Sequence, residues 1–377
     1  MKIPIAKPFL NEAEAQLAYD TILTNWVTQG PQVAAFEEEF AAYTGAKYAV
    51  AVSNCTTALH LSLVVAGVGP GDEVIVPSMS YIATANCVIH AGATPVFAEV
   101  CRENYNIDPA DVRRKITSKT KAVIGVHQIG LPFNINEVRA ICDEHQLVLI
   151  EDAACAAGSS YNNRKIGSHS DYVCFSFHPR KVITTGDGGM ITTQNEKIAK
   201  RLKLLRQHGM SVNDRVRHLS QTVIMEEHVE VGYNYRLTDI QAAVGREQLK
   251  KLDWIIEERA KIANEYLQSF KDIACIELPH VPEHVMTNWQ SFSIYIKRNS
   301  PISRNDLMQR LLDVGIATRR GVMTSHRELA FTSLGYNNSL PVSEDACDQS
   351  IILPLFVPMS QEEIDYVISH FKSLIGH

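Results

Sequence analysis

The fold is indicated first by Leu147-Val-Leu-Ile-Glu-Asp152 and Tyr172-Val-Cys-Phe-Ser-Phe-His178, two short apolar runs that end in polar residues. Strands with near-continuous apolar sequence are typical of parallel sheets buried on both faces. From about residue 48 to about residue 193, such runs alternate with apolar residues at helical spacing. Strands are predicted at 48–53, 73–77, 95–100, 122–127, 147–152, 172–177 and 190–193, with helices at 56–68, 134–145 and 196–208. The pattern predicts an α/β core whose mostly parallel central sheet is flanked by helices.

The C-terminal part has a different pattern. Thr238 begins a capping box, and the helix that follows is predicted to run through Trp254 to about Phe270. Ser291–Ile296 alternates like an antiparallel strand, and a second capping box at Ser360 starts a final helix. A chain of 377 residues, 45% of them hydrophobic, can form one large core and one smaller core. We expect a large domain over residues 1–255, whose N-terminal segment can pack on the other domain, and a smaller α+β domain over residues 256–377.

Composition argues against several classes of partner. The formal charge is −6, and no run of basic residues is interleaved with aromatic ones, so nucleic acid is not expected as a partner. The first residues, Met-Lys-Ile-Pro-Ile-Ala-Lys, lack the apolar stretch of a signal peptide, and no later segment is apolar for the length that a bilayer requires. A cytoplasmic protein without membrane contact is therefore expected. The eight cysteines are scattered singly, which predicts reduced, mostly buried thiols and no metal site.

Three polar groups follow predicted strands at what would be one edge of the sheet. Ligands of open α/β sheets bind beyond the carboxyl ends of the strands. The strand ending at Ser53 runs into Asn54-Cys55-Thr56-Thr57 and a helix start, whose free N–H groups suit a phosphate. A second strand ends at Asp152. The third leads to Lys181, on a loop that continues into Thr184-Thr-Gly-Asp-Gly-Gly189.

Pyridoxal phosphate chemistry needs these three groups: an amine, a carboxylate and a phosphate cradle. Asp152 would keep the pyridine nitrogen protonated, and Lys181 would hold the cofactor and later move a proton. Burial and the nearby pyridinium are both expected to lower the pKa of Lys181. Taken singly, Lys181 is also compatible with a surface charge, Asp152 with a turn residue and the segment 53–57 with an ordinary helix start. The combination in this order favours the cofactor site.

The sequence resembles the DegT/DnrJ/StrS type of pyridoxal-phosphate sugar aminotransferases, which have the fold type I architecture of the aspartate aminotransferase superfamily. The resemblance covers nearly the whole chain, and its most specific element is Ser176-Phe-His-Pro-Arg-Lys181 followed by Thr184-Thr-Gly-Asp-Gly-Gly189. Further matching segments are Gly30-Pro-Gln-Val-Ala-Ala-Phe-Glu37, Ser53-Asn-Cys-Thr-Thr-Ala-Leu59, Pro77-Ser-Met-Ser-Tyr-Ile-Ala-Thr84, Gly92-Ala-Thr-Pro-Val-Phe97, Glu151-Asp-Ala-Ala154, Leu205-Arg-Gln-His-Gly209 and Gly232-Tyr-Asn-Tyr-Arg236.

The resemblance assigns roles to individual residues. It implies that Lys181 holds the cofactor, that Asp152 pairs with the ring nitrogen, that Thr56 and Ser176 bind the phosphate, and that Tyr81 stacks on the ring. Without the resemblance, Tyr81 would be interpreted as a half-buried aromatic residue that packs a helix start.

The resemblance also implies an obligate homodimer with shared active sites. In the family, the Asn of Gly-Tyr-Asn-Tyr-Arg reaches the phosphate bound by the neighbouring subunit, and here it is Asn234, which by itself would be interpreted as a turn residue. Two cofactor-binding positions depart from the family pattern. Cys55 stands where Gly is common, and Cys155 stands where Gln or His is common.

The implied reaction is a two-stage transamination. L-Glutamate would convert the cofactor to pyridoxamine phosphate, which would then aminate a nucleotide-linked keto-sugar for polysaccharide or glycoconjugate biosynthesis. The alternatives are a dehydratase of the same family, in which some members have His in place of the lysine, and a non-catalytic pyridoxal-phosphate-binding regulatory protein. Candidate substrate residues, each equally compatible with a surface charge or a structural histidine, are His178, Arg236, Arg319, Arg320 and His326.

Overall fold

The computed structural model describes residues 1–212, 217 and 220–376. Its helices are α1 (Glu12–Leu23), α2 (Pro31–Thr44), α3 (Cys55–Val65), α4 (Ala83–His90), α5 (Pro109–Lys115), α6 (Ile135–Glu144), α7 (Glu196–Leu205), α8 (Asp239–Phe270), α9 (Arg304–Asp313), α10 (Leu329–Thr332), α11 (Pro341–Gln349) and α12 (Gln361–Ile375). Its strands are β1 (Tyr48–Val52), β2 (Glu73–Pro77), β3 (Thr94–Ala98), β4 (Thr120–Val126), β5 (Val148–Asp152), β6 (Ser160–Tyr161), β7 (Arg164–Lys165), β8 (Val173–Ser176), β9 (Gly189–Thr193), β10 (Ile276–Glu277), β11 (Val285–Met286), β12 (Phe292–Ile296), β13 (Arg319–Arg320) and β14 (Ser350–Leu353).

The central sheet has seven strands in the order β1-β9-β8-β5-β4-β2-β3. Strands β8, β5, β4, β2 and β3 are parallel, which confirms the predicted mostly parallel sheet. Strand β9 is antiparallel to both β1 and β8, so the interpretation of residues 190–193 as one more parallel strand is wrong. After β8 the chain reverses its direction in the loop of residues 177–188, without a helix. The Phe177 N–H at the start of this loop donates to the Gly188 carbonyl at its end, at 2.9 Å.

Side chains of the central sheet alternate between two apolar layers. In β1, Ala49 and Ala51 belong to one buried cluster, while Val50 and Val52 belong to the other. The first layer includes Phe36 of α2 and further buried residues of α6 and α8, and the second includes residues of α3, α4 and α7. This burial on both faces is the reason for the near-continuous apolar strands of the sequence.

The C-terminal part contains a four-stranded antiparallel sheet, β10-β12-β14-β13, with α9 packed on β13 and β14 and α11 on β12, while α12 packs on α8 and α9. The capping boxes predicted at Thr238 and Ser360 are both present and start α8 and α12. The N-terminal segment joins this part, since Ile3 N–H donates to the Gly315 carbonyl at 2.9 Å. The domain division after residue 255 falls inside α8 and stays a proposal. Within residues 1–212 and 220–376, no helix has both the length and the apolar character that crossing a membrane requires.

Candidate active site

Lys181 lies on the loop between β8 and β9, as the sequence predicts. Its backbone N–H donates to the His178 carbonyl at 2.8 Å, and its side-chain Nζ donates to Cys155 Sγ at 3.2 Å. Burial lowers the pKa of Lys181, but the neighbouring Cys155, Cys55 and Asp152 raise it, and the net direction is upward. The expected lowering applies to the protein with its cofactor bound and stays a prediction, whereas the contact of Cys155 with the amine was not predicted from the sequence.

Asp152 ends β5 and is 5% exposed. Its Oδ2 accepts a hydrogen bond from Thr84 Oγ1 at 2.8 Å, and its Oδ1 accepts one from Ala154 N at 3.1 Å. Burial raises the pKa of Asp152 above its ordinary value, although Thr84, Ala154 and Lys181 act in the opposite direction. A buried carboxylate with a raised pKa is stabilised by a cation placed against it.

A buried histidine–carboxylate pair, His127 and Glu151, lies next to Asp152. His127 Nε2 is 3.0 Å from Glu151 Oε2, and neither side chain is exposed to solvent. Burial raises the pKa of Glu151, but hydrogen bonding and charge from His127, together with the Ser170 hydroxyl, lower it overall. The backbone N–H of His127 also donates to the Asp152 carbonyl at 3.0 Å. This arrangement fixes the adjacent ends of β4 and β5, and with them the direction of the Asp152 side chain.

The N-terminus of α3 faces the same region. Asn54 caps the helix by accepting from Thr57 N at 2.9 Å, and the first intrahelical hydrogen bond runs from Ala58 to Asn54 at 3.1 Å. The N–H groups of Cys55 and Thr56 precede that bond, so they are suited to an anion. Gly189 at the start of β9 permits the close approach of this turn, since a Cβ there would lie 2.6 Å from the Asn54 carbonyl.

One cavity of about 700 Å³ brings most of the predicted site residues together. It is lined by Cys55, Thr56, Tyr81, Asp152, Cys155, Ser176, His178, Lys181, Arg319 and Arg320. An amine, a buried carboxylate and helix N–H groups thus share one space. This set of donors fits pyridoxal phosphate, with the carboxylate available to a protonated ring nitrogen and the N–H groups available to the phosphate.

The remaining predicted residues lie outside the cavity lining. His326 is buried, with Nδ1 2.5 Å from Ser78 Oγ and Nε2 3.2 Å from Glu344 Oε1, which is the environment of a structural histidine. Arg236 is half-buried in the segment before α8. Asn234 is exposed to solvent beside Gln207, and its backbone pairs with that residue.

The sequence interpretation missed several groups that line the cavity. Thr84, which donates to Asp152, is the last residue of a family motif, and Arg180 directly precedes the lysine, so both could have been proposed from their positions. His60 and Tyr235 also line the cavity and contact each other, with Tyr235 Oη 3.0 Å from His60 Nδ1. That contact joins residues far apart in the chain, so no local sequence signal pointed to it.

Comparison with known proteins gives a family for the chain. The model of the DegT/DnrJ/EryC1/StrS aminotransferase family matches residues 8–372. Spore coat polysaccharide biosynthesis protein SpsC of Bacillus subtilis is 35% identical over 377 residues, which covers 99% of this chain and 97% of that protein.

Solved structures agree with this result. The PMP form of the putative sugar aminotransferase Spr1654 from Streptococcus pneumoniae has a TM-score of 0.94 at 29% identity, covering 100% of this chain and 99% of that one. Its PLP form has a TM-score of 0.93 at 30% identity, with the same coverage. Helicobacter pylori PseC, an aminotransferase involved in the biosynthesis of pseudoaminic acid, has a TM-score of 0.93 at 26% identity, with 100% of both chains covered.

Proposed function

The chain belongs to the DegT/DnrJ/EryC1/StrS aminotransferase family, and we propose that it transfers the amino group of L-glutamate to a nucleotide-linked keto-sugar. As a member of this family of sugar aminotransferases, it is an enzyme that uses pyridoxal phosphate and passes through the pyridoxamine phosphate form. The observation that carries the proposal is that Lys181, Asp152 and the N-terminus of α3 line one cavity. The names and described roles of SpsC and PseC support a product used in a polysaccharide or another glycoconjugate.

In this proposal, Lys181 transfers protons, and the other site residues bind the cofactor. The bound cofactor supplies an electron-withdrawing ring that stabilises negative charge on the carbon next to the transferred nitrogen. Lys181 Nζ takes a proton from that carbon of the amino acid and returns a proton on the other side of the nitrogen. Asp152 holds the proton on the ring nitrogen, and Thr84 holds Asp152 in place. Thr56, Ser176 and the N-terminus of α3 bind the phosphate, and Tyr81 covers the ring.

We further propose that Asn234 acts in the site of a partner subunit. Asn234 is exposed and does not line the cavity of its own chain, whereas Tyr235 next to it does. An obligate homodimer in which each subunit completes the other site follows from this assignment. Because each site would then need residues from two chains, only the dimer would be active.

The test is a half-reaction with the purified, pyridoxal-phosphate-loaded protein. Adding L-glutamate is expected to remove the yellow absorbance and release one equivalent of 2-oxoglutarate per site. Lys181→Ala is expected to abolish both signals, because no other amine replaces the proton carrier. The matched control is Lys197→Ala, which removes an exposed lysine of α7 and should behave like the wild type. A Lys181→Ala protein with normal turnover would remove this lysine from the mechanism, and a wild type that keeps its colour would favour the regulatory alternative.

A further inference from the structure

The segment of residues 288–290 lies between β11 and β12 and borders the cavity through Gln290. Its two amide side chains bind the backbone of two different active-site loops. Asn288 Nδ2 donates to the Cys155 carbonyl at 2.8 Å, and Gln290 Nε2 donates to the Arg180 carbonyl at 3.0 Å. The segment therefore contacts the loop after β5 and the lysine-bearing loop after β8 at the same time.

The contact with Gln290 fixes the peptide that leads into Lys181. A peptide is planar, so its carbonyl, which belongs to Arg180, and its N–H, which belongs to Lys181, cannot turn independently. The N–H donates to the His178 carbonyl at 2.8 Å, and the carbonyl accepts from Gln290. Because both sides of this peptide are held, the direction in which the lysine side chain leaves the backbone is fixed as well.

The amide of Asn288 has no solvent exposure, and all of its groups are bound. Besides its contact with Cys155, Nδ2 donates to the Ala157 carbonyl at 2.9 Å, and Oδ1 accepts from Gln290 N at 2.9 Å. Gly130, with a φ of +99°, leaves room for this amide, since a Cβ there would collide with Oδ1. A buried amide with these partners has one orientation, so the segment and the loop after β5 hold each other in place.

Arg259 of α8 holds the segment from the side opposite the cavity loops. Its Nε donates to the Trp289 carbonyl at 2.7 Å, and its Nη2 donates to the Gln290 carbonyl at 2.6 Å. Burial lowers the pKa of Arg259 to about 9, and in the described part of the chain it has no carboxylate partner. Its charge is therefore stabilised by these two carbonyls. Trp289 has a φ of +51°, a conformation that persists in a bulky residue only where the surroundings impose it.

We propose that Gln290 is a positioning residue, which holds the Lys181 amine where it can transfer protons. Asn288 and Arg259 support Gln290, because they fix the segment that carries it. The inference rests on the proposed function, in which Lys181 is the proton carrier. Since a shift of about 1 Å in a reacting group can lower a rate about a hundredfold, a contact with the lysine backbone can control the rate without binding substrate.

The test is the rate constant for bleaching of the pyridoxal-phosphate-loaded protein by saturating L-glutamate, measured with ordinary and with α-deuterated L-glutamate. Gln290→Leu keeps the bulk of the side chain but removes the donor to the Arg180 carbonyl. We expect the rate constant to fall about tenfold, with a large deuterium isotope effect, and the half-saturating L-glutamate concentration to change less than about twofold. A loss of stability alone would not produce the isotope effect. The control is Gln309→Leu, an exposed glutamine of α9 that contacts Asp313, and it should match the wild type.

Arg259→Lys tests whether the segment transmits the effect. Lysine keeps the positive charge but cannot bind both carbonyls with the planar fork of a guanidinium group. The rate constant should fall about threefold in Arg259→Lys alone and should not fall further when this change is added to Gln290→Leu, because both changes act on the same contact. Independent, multiplying losses would contradict the statement that Arg259 acts through Gln290.

A second measurement does not depend on turnover. The yellow absorbance that forms when pyridoxal phosphate is added to the cofactor-free protein also requires the Lys181 amine, and Gln290→Leu should slow its appearance about tenfold. Normal rates in both measurements would overturn the proposal. A change confined to the half-saturating L-glutamate concentration would also overturn it and would assign Gln290 to substrate binding. A wild type that L-glutamate does not bleach would refute the proposed function alone, since the appearance of the absorbance can still be timed.

Discussion

At the level of single residues, burial disfavours the charged form of Asp152 unless a cation binds beside it. It is buried, and burial raises its pKa in the cofactor-free protein. A carboxyl group whose pKa is higher in the folded than in the unfolded state contributes stability that is fully present below its unfolded pKa and is lost as the pH rises through the folded pKa. At neutral pH the charged form therefore costs folding free energy, which a protonated ring nitrogen against the carboxylate would offset.

The first prediction follows from this free-energy cost of the buried, charged Asp152. Asp152→Asn is expected to leave the melting temperature of the cofactor-free protein at pH 7 equal to or above that of the wild type, with a difference that shrinks in acid. The affinity for pyridoxal phosphate should fall more than about a hundredfold, since removing one partner of a buried ion pair costs about 3 kcal/mol or more. Differential scanning calorimetry and cofactor titration measure the two quantities. Asp143→Asn, on the exposed face of α6, is the control, and a strongly destabilised Asp152→Asn apoprotein would contradict the reasoning.

The second prediction concerns the hydroxyl that supports Asp152. Thr84→Val keeps the side-chain shape but removes the hydrogen bond to Oδ2, so the pKa of Asp152 should rise further. We expect cofactor affinity to fall about tenfold, the usual effect of losing a hydrogen bond to a charged group. Titration of pyridoxal phosphate into the apoprotein measures it. The exposed Thr94→Val at the start of β3 should bind like the wild type, and equal affinities for both variants would show that Thr84 does not act through Asp152.

Some of these residues could be placed in the site from the sequence and others could not, for a physical reason. Asp152 and Lys181 follow buried strands, whose ends meet at one edge of a sheet, so their meeting could be predicted. The contact of Cys155 with the lysine could not, because it depends on the conformations of two loops. Arg180 could be placed near the site, but its proximity to Arg319 required the docking of two distant segments.

At the level of elements, α2 and α7 are joined to β1 by a buried ion pair. Glu37 of α2 contacts Arg206, just after α7, and also Lys203 at 2.9 Å, and its Oε1 accepts from Ala51 N at 2.9 Å. Burial would raise the pKa of Glu37, but the charges of Arg206 and Lys203 lower it overall. These contacts hold two helices on opposite layers against the edge of the central sheet.

The third prediction is that Glu37→Gln lowers the free energy of unfolding at pH 7 by about 3 kcal/mol, because it leaves Arg206 buried without its partner. A carboxylate with a lowered folded pKa stabilises above its unfolded pKa, and the contribution is lost as the pH falls through the folded value. The gap between wild type and variant should therefore narrow in acid, below the ordinary pKa of 4.5. Urea denaturation at several pH values measures this. Glu38→Gln, exposed and adjacent, should stay close to the wild type, and a gap that is independent of pH would argue against the ion pair.

Elements were predictable where the signal is local. Capping boxes at Thr238 and Ser360 gave the starts of α8 and α12, since both partners of each box lie within four residues. The antiparallel direction of β9 could not be predicted, because an apolar pattern is the same for either strand direction and the chain reverses in the loop of residues 177–188 without a helix.

At the level of the whole molecule, distant segments meet in ways that no local pattern records. Ile3 bridges to Ile316, and Met79 beside the active site bridges to Thr324. The cavity consequently takes Asp152 and Lys181 from the central sheet and Arg319 from the C-terminal sheet. The fold class could be predicted from periodicity, but the meeting of these two parts depends on tertiary contacts between residues more than 200 positions apart.

The last prediction tests whether a site is also shared between two molecules. Lys181→Ala and Asn234→Ala proteins should each be nearly inactive alone, while unfolding and refolding them together should restore activity. In a mixed dimer, one site receives both substitutions and the other receives none, provided that Asn234 serves the partner subunit. Since about half of the dimers formed at random from equal amounts are mixed, about a quarter of the wild-type sites should be active.

Refolding each variant with itself is the control for this experiment, and turnover with L-glutamate and a keto-sugar nucleotide measures the recovery. The exposed position of Asn234, outside the cavity of its own chain, is what makes recovery expected. If Asn234 acted within its own subunit, each site of a mixed dimer would still carry one substitution, and no activity would return. Recovery near a quarter therefore distinguishes a site built by two chains from a site built by one.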